Sequence, residues 1–257
     1  MQALRQVDGW PCTHAAVAVA GREEAFHGDV DRSFPWASVT KLATAVAVLV
    51  AVDEGSVDLD EPAGPPGATV RHLLAHASGL APDDRAPLEP PGRHRIYSNA
   101  GFEALAEHVA ARTEMPFAAY FREVWGFELA GSPASGVEQP LTSLLEVARE
   151  LLEPTRLAPA TLREAASVQF AGLDGVLPGF GRMSPNDWGL GLELRNDKRP
   201  HWTGTRNSSG TFGHFGRSGT FLWVDPEADL ALACLTDLEF GDWAKDAWPR
   251  LADAVLA

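Results

Sequence analysis

The chain has 257 residues, a formal net charge of −14 and a pI near 4.9, with ordinary globular proportions of hydrophobic (45%) and charged (22%) residues. That length supports one large domain or two intimate ones, and the acidity argues against nucleic acid or anionic membranes as partners. The longest uncharged apolar run, about eleven residues, is too short to span a bilayer.

In chain order, His14 to Ala20 reads as a strand, Gly21 to Glu24 as a turn, and Ala25 to Gly28 as a returning strand. Before them, Met1 to Ala18 lacks a charged leader followed by an apolar segment. The expectation is a cytoplasmic protein, or an exported one whose leader has been removed. Phe34 to Lys41 forms an irregular, proline-bearing entry into the apolar run Leu42 to Val52. A helix apolar on all sides belongs in an interior. Gly55 stands where its C′ residue would be.

Ser38 and Lys41 fall three apart at the mouth of that helix. Positions i and i+3 share a helix face. A serine hydroxyl becomes a competent nucleophile when a neighbouring base takes its proton. A lysine becomes such a base when burial lowers its pKa. The chain has three lysines, and one sits beside its most apolar helix, where a lysine is costly.

Further on, Thr69 to His76 reads as a short helix with Thr69 at its N-cap, broken by Ser78-Gly79. A Pro/Asp-rich loop spans Ala81 to Gly92. Helical patterns follow from Phe102 to about Arg112, and over roughly 116–124, 141–152 and 159–168. Phe170 to Ser184 is glycine-rich and irregular. From Trp188 the period becomes strand-like: Trp188 to Leu194, Gly219 to Val224 and Ala228 to Leu235, the last two joined at Asp225-Pro226-Glu227 as a hairpin. Trp243 to Leu256 reads as a closing amphipathic helix. Runs of one type imply an α+β plan. Expected is an antiparallel sheet from both chain ends, 1–58 and 188–257, flanked by the N- and C-terminal helices. An inserted all-helical subdomain over 59–187 would leave the Ser38 helix at the seam, where clefts form.

Ser38-Val39-Thr40-Lys41 is followed by Tyr97-Ser98-Asn99 and by His214-Phe215-Gly216, the last placed just before an edge-type strand. With two tyrosines and four asparagines in the chain, a chance Y-x-N is uncommon. S-x-x-K, Y-x-N and H-x-G in this order resemble the serine β-lactamase and penicillin-binding-protein-like hydrolases, in the branch of class C β-lactamases, DD-peptidases and esterases. The resemblance runs from about His14 to Asp237. It implies a β-lactamase/transpeptidase-like fold and an acyl-enzyme mechanism with no metal or organic cofactor. Ser38 would be the nucleophile, and Lys41 or Tyr97 the base. Asn99 would hold Lys41 and offer its amide to substrate. His214 would line the opposite wall, and Gly216 would let substrate lie against the strand. Backbone N–H groups of Ser38 and Arg217 would form the oxyanion hole, and the Arg217 side chain could contact a carboxylate.

Phe215 stands where many β-lactamases carry a small hydroxyl residue, which favours an ester or amide substrate, small molecule or peptide, over a β-lactam. A β-lactamase or DD-carboxypeptidase-type enzyme and a catalytically silent binding module are the alternatives. Ser98 receives no role, and His72 and His76 are read as packing residues rather than half a metal site. Trp36, Trp202 and Trp223 are read as core, and Cys12 and Cys234 as buried thiols. Oligomeric state is not legible.

Overall fold

The computed structural model describes all 257 residues, Met1–Ala257. A 3₁₀ segment, Gln2–Gly9, precedes the hairpin β1 (Ala15–Gly21) and β2 (Ala25–Gly28) and the short β3 (Phe34–Pro35). A 3₁₀ turn, Ala37–Val39, runs into α1 (Thr40–Asp53). Then come α2 (Val70–Leu74), α3 (Asn99–Thr113), α4 (Phe117–Trp125), β4 (Glu138–Gln139), α5 (Leu141–Leu152) and α6 (Pro159–Ala165). A small hairpin, β5 (Gly175–Leu177) and β6 (Gly181–Met183), leads to β7 (Glu193–Leu194), β8 (Phe212–Gly216), β9 (Thr220–Asp225), β10 (Leu230–Thr236) and α7 (Asp242–Val255).

The main sheet is antiparallel in the order β2-β1-β10-β9-β8-β7. β1 joins β10 in register from Ala15↔Thr236 to Gly21↔Leu230, so both chain ends build one sheet. Strand alternation sorts the side chains into two cores. Ala16, Ala18, Ala20, Ala231, Ala233 and Leu235 face α1 and α5 in one cluster. Val17, Val19, Phe221, Trp223, Leu232 and Cys234 face Leu4, Val7 and α7 in the other. The alanine face lets α5 pack directly on β1 and β10.

Several elements depart from the sequence reading. The N-terminal 3₁₀ segment and α7 share one face, and the other is covered by α1 and α5. Within 59–187, α2 and α3 pack together and α3 and α4 pack on α1, whereas α5 lies on the sheet, so the insertion is not purely separate. α3 begins three residues earlier than its apolar period, because Ser98 caps it by accepting from the Gly101 N–H. Phe170 to Ser184 contains the β5–β6 pairing. Trp188 to Leu194 is not a strand except for its last two residues. Gly189 N–H donates to Leu192 O, and Gly191, at φ +77°, donates to Leu74 O. The alternating leucines are buried because this segment threads under the helices. His214-Phe215-Gly216 lies inside β8, between β7 and β9, rather than before an edge strand. No helix is long and apolar enough to cross a membrane.

Candidate active site

Ser38 occupies the middle of the 3₁₀ turn at the start of α1. Trp36 fixes that turn. Its N–H donates to Val137 O, its indole Nε1 to Gln139 O, and its carbonyl accepts from Thr220 Oγ1 at 2.8 Å. Ala37 is held at φ +47°, a left-handed conformation that costs a non-glycine residue about 1 kcal/mol. The strain sits immediately before Ser38, where such outliers accompany function.

One turn on, Lys41 is fully buried. Its Nζ donates to Asn99 Oδ1 at 2.6 Å and Ala134 O at 2.9 Å. Burial pulls its pKa down to about 7, against the opposing pull of Asp83 and Glu103. Asn99 opens α3 and also donates from Nδ2 to Asp83 Oδ1 at 2.7 Å. The amide is thereby oriented with its oxygen toward the amine. Lys41 Nζ lies 4.8 Å from the Tyr97 ring centre.

Tyr97 has a buried hydroxyl without a well-aligned hydrogen-bond partner, and the Ser38 side chain acts on it to lower its pKa. Burial raises its pKa strongly, outweighing the lowering by Ser38, so it is a neutral phenol. Two buried histidines flank its ring, His76 at 4.7 Å and His214 at 5.7 Å between centroids. Burial, then the Lys41 charge, depresses both, His214 to about 3 and His76 well below its ordinary value. Their tautomers are opposite. His76 Nδ1 accepts from Ser98 N–H at 3.1 Å, so its proton is on Nε2. His214 Nδ1 faces Phe215 O at 2.7 Å, so its proton is on Nδ1, and Nε2 is a lone pair without a partner.

The seven residues singled out in the sequence are brought together by α1, α3 and β8. Five of them, Ser38, Tyr97, Asn99, His214 and Arg217, line one cleft of about 810 Å³ with Asp83, Trp188 and Glu239, while Lys41 is buried against Asn99 and Gly216 packs on the Ser38 turn. Gly216 also has a packing role. A Cβ there would meet Thr220 Oγ1 and Trp36 O, each at 2.5 Å, so the glycine lets β8 approach the Ser38 turn. Arg217 extends its side chain into solvent, 4.0 Å from Glu239. Ser98, given no role, donates to Ala81 O as well as capping α3, and so ties the 81–92 loop to Asn99. His72 stacks on Phe170 at 4.2 Å, apart from His76, which ends α2's turn at φ +54°. Trp36, Trp202 and Trp223 are core, and both cysteines are free thiols, Cys234 buried and Cys12 half-buried. The sequence reading missed Asp83 and Trp188. Neither carries a local signal, since one is a loop carboxylate and the other sits in a segment with a false strand period.

A β-lactamase family model matches residues 2–126 and 124–256. Among solved structures, a β-lactamase from Mycobacterium bovis is 52% identical, with a TM-score of 0.97 over 99% of this chain and 98% of that one. Unliganded simvastatin synthase (LovD) from Aspergillus terreus is 16% identical, with a TM-score of 0.84 over 100% and 96%. EstCE1, described as a hydrolase with promiscuous acyltransferase activity, is 16% identical, with a TM-score of 0.78 over 100% and 97%. No curated protein matches the sequence. With the model spanning nearly the whole chain and half of all residues shared with the M. bovis structure, the chain belongs to the β-lactamase family.

Proposed function

We propose that the chain is a serine hydrolase that cleaves an ester or amide through an acyl-enzyme on Ser38. The observation that carries this is Lys41, an amine near pKa 7 buried one helical turn from the serine and held by Asn99 and Ala134 O. Near neutral pH a large fraction is the free amine, a base. Tyr97, its phenol kept protonated by burial, fits a relay better than a standing phenolate. Lys41 takes the Ser38 proton, directly or through Tyr97, as Oγ attacks the carbonyl carbon. The oxyanion is met by the N–H groups of Ser38 and Arg217, a contribution of the kind worth ~10²–10³ in rate. As the tetrahedral species collapses, the proton passes through Tyr97 to the leaving oxygen or nitrogen. Water then attacks the acyl-enzyme by the same path in reverse and frees Ser38. The scheme uses no metal or organic cofactor. A small molecule or peptide fits the cleft, and the acidity of the chain disfavours nucleic acid.

A second reading, β-lactam hydrolysis, is favoured by the 52% identity to a structure described as a β-lactamase. Wild-type and Ser38→Ala proteins assayed with p-nitrophenyl acetate and with a chromogenic cephalosporin separate the two. Ester turnover lost in the variant, with no cephalosporin turnover, supports the first reading. Cephalosporin turnover lost in the variant supports the second. Equal rates in variant and wild type refute both.

A further inference from the structure

The cleft's donors, the Tyr97 hydroxyl, Trp188 Nε1–H and the Asn99 amide, gather near Ser38, whereas the wall formed by Ser218, Thr236 and His214 presents acceptors. On the β8 side, Ser218 donates its hydroxyl proton to Pro35 O at 2.6 Å, and Thr236 donates its own to Gly219 O at 3.0 Å. Both hydroxyls therefore offer only lone pairs to the cleft. His214, 4% exposed, adds the unpartnered lone pair of Nε2, since its proton is committed to Phe215 O. Phe215, at the cleft's edge, packs its ring against Trp202, Trp248 and Phe240 and brings no hydroxyl to that wall.

The charges agree. Asp83, Glu193, Asp237 and Glu239 line the cleft with one cation, Arg217. Glu193 is matched by buried Lys198 and by His201 and Trp202. Arg217 is matched by Glu239 at 4.0 Å. Asp83 and Asp237 remain, their contacts being N–H donors from Asn99 and from the backbone of Thr13 and His14, none of them cationic. On that wall a substrate carboxylate would face lone pairs, and Asp83 and Asp237 would add two negative charges that no cation pairs. An ammonium would find an acceptor on each wall.

We propose that the cleft takes substrates that carry an ammonium group and rejects those that carry a carboxylate. As a statement of substrate class this rests on the hydrolase reading, but its binding preference is separately measurable. The Ser38→Ala protein would be titrated calorimetrically at pH 8.5, where Lys41 is neutral, with hexylammonium, hexan-1-ol and hexanoate. In parallel, the three would be tested as inhibitors of p-nitrophenyl acetate hydrolysis by the wild type. Hexylammonium should bind on the order of tenfold tighter than hexanoate at low salt, with the alcohol between, and 0.5 M NaCl should shrink the gap. In the double variant Asp83→Asn/Asp237→Asn, which keeps the acceptor oxygens, the ratio should fall to about twofold or less, in line with the loss of both uncompensated charges. Hexanoate binding as tightly as hexylammonium, or a ratio unchanged in the double variant, overturns the proposal. Ester turnover with no ammonium preference refutes this proposal and leaves the hydrolase standing. An ammonium preference in a protein that turns over no ester does the reverse.

Discussion

Lys41→Met isolates the cost of burying an amine in α1. An ordinary lysine titrates at 10.5, and in the fold Lys41 titrates at about 7. Between those values the unfolded chain holds a proton that the folded chain has released. Stability must therefore rise with pH across that window, by up to ~1.4 kcal/mol per unit. Over the full gap the gross cost is about 5 kcal/mol at and below neutral pH, vanishing above 10.5. Methionine fills similar volume without the charge. It loses the bonds to Asn99 and Ala134 O, worth about 1–3 kcal/mol together, but that loss is independent of pH. The difference between wild type and Lys41→Met, from urea unfolding at pH 7 and pH 10, should change by about 3–4 kcal/mol in favour of wild type at high pH. All other groups titrate alike in the two proteins and cancel. A change under about 1 kcal/mol would mean that Lys41 is protonated in the fold at neutral pH, and would remove the base from the mechanism.

Asn99→Ala should lower kcat/KM by about 10²-fold, with the fold retained by circular dichroism, because it frees the amine it holds at 2.6 Å. Gly216→Ala should cost about 1–3 kcal/mol in thermal unfolding and reduce ester turnover, since its Cβ would push the Trp36 carbonyl and the Ser38 turn away. Ser98→Ala should cost about 1 kcal/mol as a lost N-cap and slow turnover through the released 81–92 loop; a variant as stable and active as wild type would deny it that role. The acid limb of the kcat/KM–pH profile should fall near pH 7 and move lower in Asp83→Asn, because that carboxylate favours the Lys41 cation; an upward move would contradict this.

What the sequence disclosed was local. The Ser38–Lys41 spacing, the uncharged run of α1, the Thr69 cap and the β9–β10 hairpin each depend on a few adjacent residues, and each is found in place. What it hid depends on contacts between distant segments. Asp83 matters because the loop folds back onto Asn99, sixteen residues away. Trp188 and the leucines after it alternate like a strand but follow a glycine turn pinned to Leu74 O and Ala165 O. The burial of Lys198 against Glu193 is likewise tertiary. The tautomers of His76 and His214, which decide whether the wall gives or takes a hydrogen bond, are set by partners that no sequence spacing announces.

The most direct measurement is intact-mass spectrometry of the protein after a serine-directed fluorophosphonate, beside the Ser38→Ala variant. Expected is one adduct, mapped to Ser38, forming faster as pH rises through 7 and absent from the variant. An unlabelled wild type, or an adduct that persists in Ser38→Ala, would contradict the assignment of Ser38 as the nucleophile.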